Sequence, residues 1–193
     1  TSLEKLYSFI KNMRGLYDYL LHRRSDYKVL HNIEHYGENV IFLELKEVLK
    51  RVDVITINDE EARQLSGEYS LVKAAEVIHT MGPKFVVIKK GEHGALLFND
   101  AQVFFAPALP LKEVFDPTGA GDTFAGGFSG YLAQQQNISF NNMKNAIIYG
   151  SNLASFCVEK FGTERMENLK ETEVNARLQQ FKMLTQFDIE LAE

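Results

Sequence analysis

Fourteen residues near the middle of the chain combine small side chains with two acids: Val114-Phe115-Asp116-Pro117-Thr118-Gly119-Ala120-Gly121-Asp122-Thr123-Phe124-Ala125-Gly126-Gly127. An extended segment ends at Asp116, and Pro117 fixes one φ angle in the connection that follows. Gly119-Ala120-Gly121 then opens a helix whose first turn contains Asp122. Small residues at a helix start let an anion reach the backbone, where free N–H groups and the helix dipole favour negative charge. Asp122 adds an acceptor-only carboxylate beside that site. Oxyanion stabilisation next to a proton acceptor suits phosphoryl transfer to an alcohol. The bland alternative is a glycine-rich helix start that only packs closely; for Gly126 and Gly127, one turn further on, that alternative is favoured. Two other phosphate-binding patterns fail. No G-x-x-x-x-G-K-[ST] string occurs, and Phe124 stands where G-x-G-x-x-G needs its third glycine.

The elements that would carry this segment are legible on both sides of it. Val52-Asp53-Val54-Ile55-Thr56-Ile57 is rich in β-branched residues and reads as a strand ending at Asn58. A short helix follows from Asp59 to Leu65, stopped at Gly67, and an amphipathic helix runs from Leu71 to Met81. Phe85-Val86-Val87-Ile88 is apolar throughout, as expected of a strand buried in a parallel sheet. Ala95 to Phe98 and Gln102 to Phe105 read as a hairpin across Asn99-Asp100. Helices are expected from Gly119 to Leu132, Asn141 to Val158 and Glu171 to Thr185. Strands alternating with helices predict an α/β layered fold.

Residues 1–44 differ in character and are expected to form a separate, mainly helical N-terminal segment. Leu3, Leu6, Ile10, Met13, Tyr17 and Leu20 make one helical stripe, with Ser2 as N-cap and Gly15 interrupting it. Such a stripe packs on its own core or binds a partner. His31 and His35 have the i, i+4 spacing of a helical metal pair, but without a Cys or an obvious third ligand they read as surface histidines.

Composition bounds the reading. The chain has 193 residues, a formal net charge of −5 and 45% hydrophobic residues, an ordinary globular balance. That charge argues against holding a nucleic-acid backbone. Cys157 is the only cysteine, so no internal disulfide forms, and a reducing, cytoplasmic setting is expected. The N-terminal residues lack the apolar run of a signal peptide, and no stretch is apolar enough to span a bilayer, so no membrane partner is expected.

Asp116 to Asp122 resembles the C-terminal signature of the ribokinase-like (PfkB) carbohydrate kinases, usually D-T-x-G-A-G-D; Pro117 replaces the common Thr. Asn58-Asp59-Glu60-Glu61 is similar to the family's N-x-x-E motif, and Lys89-Lys90-Gly91-Glu92-His93-Gly94 to its strand-end G-x-x-G nucleotide loop. Ala146 to Gly162 resembles the helix beside the adenine. The resemblance runs from about residue 45 to the C-terminus. It implies a ribokinase-like layered fold, with a mostly parallel central sheet flanked by helices, in which residues 45–193 form the nucleotide-binding and catalytic region.

The resemblance also implies roles. Asp122 would accept the proton of a sugar or nucleoside hydroxyl; a free aspartate is a weak base, which suffices when proton transfer is late. Gly119, Ala120 and Gly121 would donate backbone N–H groups to the transferring phosphoryl. Asn58 and Glu61 would organise Mg²⁺ and phosphate through water, although alone they read as an N-cap and a surface acid. Lys89, Gly91 and Gly94 would border ATP, with Lys89 in a place often held by Thr, and Ser151 would lie near the adenine. Asp116 and Thr118 would form a site for a monovalent cation such as K⁺. Family members also have a longer N-terminal half that supplies a sugar-binding acid, a Gly-Gly motif and a small β-sheet lid; none of these is found in residues 1–44. The apolar stripe and absent lid lead us to expect a homo-oligomer. The competing reading is a non-catalytic nucleotide-binding or interaction module derived from a sugar kinase.

Overall fold

The computed structural model describes residues 29–31 and 45–186, the former by their backbone. The sheet is built from β1 (Val29–His31), β2 (Val54–Asn58), β3 (Phe85–Lys89), β4 (Ala95–Phe98) and β5 (Val103–Ala106), side by side in that order. β1, β2 and β3 pair in parallel, whereas β3–β4 and β4–β5 are antiparallel, so four of the five described strands point the same way. The hairpin between β4 and β5 turns on Asn99. Its Oδ1 accepts from the N–H groups of Ala101 and Gln102 at 3.0 and 2.7 Å, the local bonding that suits Asn to turns.

β2 and β3 are covered on both faces, which is why Phe85 to Ile88 is an unbroken apolar run and Val54 to Ile57 is buried throughout. Successive side chains still go to opposite layers. Ile55, Ile57, Val86 and Ile88 pack under α1 (Asp59–Ser66) and α2 (Leu71–Thr80), against Ala62, Leu65, Ala74 and Ile78. Val54, Val87 and Leu97 pack under α3 (Ala120–Leu132) and α4 (Phe140–Cys157), against Phe124, Phe128, Met143 and Ile147. A single turn, α5 (Glu164–Glu167), and α6 (Glu171–Thr185) follow. Asn152 of α4 donates to the Val174 carbonyl of α6 at 2.9 Å, and Phe181 of α6 is buried.

α3 and α4 approach one another through glycines. A Cβ on Gly127 would lie 3.0 Å from Gly150 Cα and from the Tyr149 carbonyl oxygen, and one on Gly150 would lie 2.7 Å from the Phe124 carbonyl oxygen. Gly127 therefore serves packing, as its position one turn beyond the anion segment predicts, while Gly126 faces open space. Among the described residues no helix is long and apolar enough to cross a membrane.

The structure corrects the reading of residues 1–44 in one respect. Val29, Leu30 and His31 pair with Val54, Ile55 and Thr56, so the sheet already begins inside that segment. Three residues are too few for a period to show, and pairing rather than propensity makes the strand. His31 is therefore a strand residue, which removes the helical i, i+4 geometry from His31/His35. His35 and the stripe from Leu3 to Leu20 lie outside the described residues.

Candidate active site

Two of the expected site residues lie at the carboxyl ends of parallel strands, where open α/β sheets generally bind ligands. Asn58 ends β2 and Lys89 ends β3, and the two are register partners. Asn58 caps α1 from an extended backbone, φ −85°. Its Oδ1 accepts from the Glu61 N–H, and its own N–H donates to Glu61 Oε2, each at 2.8 Å. This reciprocal cap satisfies two otherwise orphaned donors and fixes the Glu61 carboxylate. Glu61 is not a surface acid, because only 8% of it is exposed. Its Oε1 accepts from no described residue. The structural and functional readings of this pair are therefore compatible: the cap orients one carboxylate oxygen and leaves the other as a hard donor.

β3 turns into β4 through residues 90–94, closed by the Lys90 N–H donating to the Gly94 carbonyl at 2.7 Å. The two glycines of this loop do different work. Gly91 has φ +55° and open space where a Cβ would be, whereas a Cβ on Gly94 would lie 2.0 Å from the Ala106 carbonyl oxygen. Gly94 thus seats the loop on the end of β5, and the segment that leaves β5 there runs on to Asp116.

Asp116 closes a tight turn, its Oδ1 accepting from the Thr118 N–H at 2.9 Å. That N–H, and then the Thr118 hydroxyl, hold the Asp116 carboxyl below the usual carboxylate range. The carboxylate favours this turn at neutral pH, and the preference is lost only as pH falls through the lowered value.

Gly119 precedes α3 in the left-handed region, φ +81°, which glycine adopts without penalty. The Ala120 N–H donates to the Pro117 carbonyl at 3.1 Å, so it is engaged within the turn. The N–H groups of Gly119 and Gly121 donate to no acceptor among the described residues. Asp122 is exposed on the first turn of α3.

Residues that sequence reasoning did not assign hold this turn from behind. The Val158 carbonyl accepts from the N–H groups of Phe115 and Asp116 at 2.9 and 3.5 Å. The buried Cys157 thiol reaches the Thr118 carbonyl at 3.8 Å and the Gly162 carbonyl at 4.0 Å. It is also the nearest atom to the place a Gly119 side chain would take, 3.8 Å away. No local signal marks Cys157 or Val158, since their role arises from the antiparallel packing of α3 on α4. Ser151 is half-buried on α4, about 9 Å along the helix axis before Cys157. Among the described residues no cluster of three or more His, Cys, Asp or Glu side chains could hold a metal by itself.

The model of the family described as pfkB family carbohydrate kinase matches residues 28–170. A cytidine kinase of Thermococcus kodakarensis is 44% identical over 90 residues, 45% of this chain and 32% of that protein. A ribokinase of Staphylococcus aureus is 34% identical over 134 residues, 67% of this chain and 42% of that protein. The crystal structure of a ribokinase from Thermotoga maritima superposes with a TM-score of 0.66 at 29% identity, covering 81% of this chain and 50% of that one. An aminoimidazole riboside kinase from Salmonella enterica, solved with aminoimidazole riboside and an ATP analogue, shares the fold with a TM-score of 0.69 at 23% identity, covering 79% and 52%. The chain thus spans about half the length of these relatives or less.

Proposed function

Because the chain belongs to the pfkB family of carbohydrate kinases, we propose that it transfers the γ-phosphoryl group of ATP to a hydroxyl of a sugar or nucleoside. The observation that carries this reading is the turn from Asp116 to Asp122: a left-handed Gly119, two unengaged N–H groups and an exposed carboxylate at one helix start. Asp122 takes the proton of the acceptor hydroxyl as its oxygen bonds to the γ-phosphorus. The bond from that phosphorus to the bridging oxygen breaks, and ADP leaves. The Gly119 and Gly121 N–H groups face the charge that spreads over the equatorial phosphoryl oxygens.

Mg²⁺ suits one carboxylate supplemented by phosphate oxygens and water, and Glu61, with one oxygen held by the cap and one left over, fits that donor set. It supplies charge neutralisation when bound. Asp116 and Thr118 offer oxygens for a monovalent cation such as K⁺, and Lys89, Gly91 and Ser151 border the nucleotide in this reading. The ribokinase and cytidine kinase relatives support a sugar or nucleoside acceptor.

Two measurements test this. Nucleotide that binds only the folded chain raises its melting temperature; at a hundred times Kd, ATP with Mg²⁺ is expected to add about 5–11 °C. ATP consumption with ribose or cytidine then separates a kinase from a module that binds nucleotide without turnover. No melting shift at millimolar ATP in folded protein would reject the reading. Gly119→Val localises the site. A β-branched side chain in the left-handed region costs roughly 1–2 kcal/mol, and its branches would crowd the Cys157 thiol, so the backbone that presents the Gly119 and Gly121 N–H groups must shift. Nucleotide affinity is expected to fall about tenfold or more; parental affinity in titration calorimetry would show that this helix start does not hold the phosphates.

A further inference from the structure

The turn that bears the anion site hangs on Val158, and Val158 is followed by an acid held between two arginines. Glu159 Oε2 accepts from Arg165 Nε of α5 at 3.0 Å, and Glu159 Oε1 accepts from Arg177 Nη2 of α6 at 2.5 Å. Arg165 continues to Glu173 of α6 through Nη2, and Arg177 reaches the Ser155 hydroxyl of α4 at 3.1 Å. Both guanidinium groups also lie over the buried Phe156 ring, at 5.0 and 3.4 Å from its centroid. The arginine side chains are only 21% and 15% exposed. Two acids and two bases thus close a clasp around the carboxyl end of α4, where the chain leaves the helix. A partly buried chain of charge-assisted hydrogen bonds of this kind is stiffer than an isolated surface ion pair. Glu159 is the one member that lies in the α4–α5 turn, next to the carbonyl that receives the Phe115 and Asp116 N–H groups.

We propose that Glu159 is a positioning residue for the phosphoryl-transfer turn: held between Arg165 and Arg177, it sets the Val158 carbonyl, and through it the seat of Asp116 to Asp122. The consequence for turnover rests on the kinase reading above; the consequence for the turn does not. Phosphoryl transfer needs the anion donors and Asp122 in register, and a displacement of about 1 Å can cost about a hundredfold in rate. Ground-state binding of the rest of the nucleotide tolerates such a shift better. Loosening the clasp should therefore act on kcat more than on KM.

The test compares the full chain with Glu159→Gln, which keeps the shape and removes the charge, and Arg165→Lys, which keeps the charge and loses the fork. Amide hydrogen exchange of segments covering residues 114–119 reads the turn without any substrate. Both variants are expected to exchange about tenfold faster at Phe115 and Asp116, with β2 and β3 unchanged. With ATP and ribose or cytidine, kcat should fall about tenfold while KM for ATP stays within twofold. Parental exchange at Phe115 and Asp116 in both folded variants overturns the proposal. Faster exchange with parental kcat overturns the catalytic part of it. A parent chain that phosphorylates neither acceptor counts against the kinase reading, and the exchange comparison then decides by itself whether Glu159 sets the turn.

Discussion

Asp122→Asn is expected to lower turnover by about 10²–10⁴-fold, the range for removing a positioned acid–base group, while nucleotide affinity stays nearly intact. The amide has almost the shape of the carboxylate and keeps an oxygen acceptor, but it cannot carry away the hydroxyl proton. The substitution sits on the exposed first turn of α3 and keeps the side chain's size, so its effect on the fold is expected to be small; the helix-dipole contribution is about 0.3–1 kcal/mol. Turnover should thus collapse without a comparable loss of melting temperature. A residue that merely supported the fold would show the opposite order. Full turnover by Asp122→Asn, on an acceptor the parent phosphorylates, means that Asp122 is not the base.

Gly94→Ala is expected to produce the largest loss of stability of any single methyl added near the site. The new Cβ would lie 2.0 Å from the Ala106 carbonyl oxygen and 2.9 Å from backbone atoms of Pro107 and Ala108. None of these is the end of a flexible side chain, so the β3–β4 loop or the end of β5 must move. The backbone at Gly94, φ +83° and ψ −148°, lies in a region nearly reserved for glycine. Overpacking and strain together should cost about 3 kcal/mol or more, or roughly 6–12 °C in Tm. Gly91→Ala is the control: it has φ +55° and open space, so strain alone remains, about 1–2 kcal/mol. Thermal unfolding of both variants decides the matter, and equal melting temperatures would refute the division of labour between the two glycines.

The two variants also mark how far the sequence could be read. β2, β3 and the Asn99 hairpin were legible because their signals are local: β-branched or apolar runs and a turn residue that bonds its own backbone. The turn from Asp116 to Asp122 was legible because a proline, two glycines and an acid at a helix start admit few structural explanations. Gly91 and Gly94 look alike in sequence; only the carbonyl of Ala106, twelve residues on, separates them. Glu61 by itself reads as a surface acid, because its burial depends on what packs around α1. β1 and α5, of three and four residues, carry no period. The clasp at Glu159 joins three helices through long charged side chains, whose partners spacing alone does not reveal.

The glycine contact between α3 and α4 bears on how the turn from Asp116 to Asp122 is assembled. Phe115 and Val158 are 43 positions apart (158 minus 115), yet they are joined by a backbone hydrogen bond. Closing so long a flexible loop late in folding would be entropically unfavourable. Helices of 13 and 18 residues lie antiparallel between the two positions, and they meet where Gly127 faces Gly150. Once this helical hairpin has zipped, only residues 116–119 remain to be ordered between its open end and the Phe115–Val158 bond. The closure cost falls by roughly 2 kcal/mol relative to a loop of 43 residues. The turn from Asp116 to Asp122 is therefore expected to inherit its order from a local folding event in α3 and α4. Substitutions at Gly127 or Gly150 should slow its formation even though neither residue touches it.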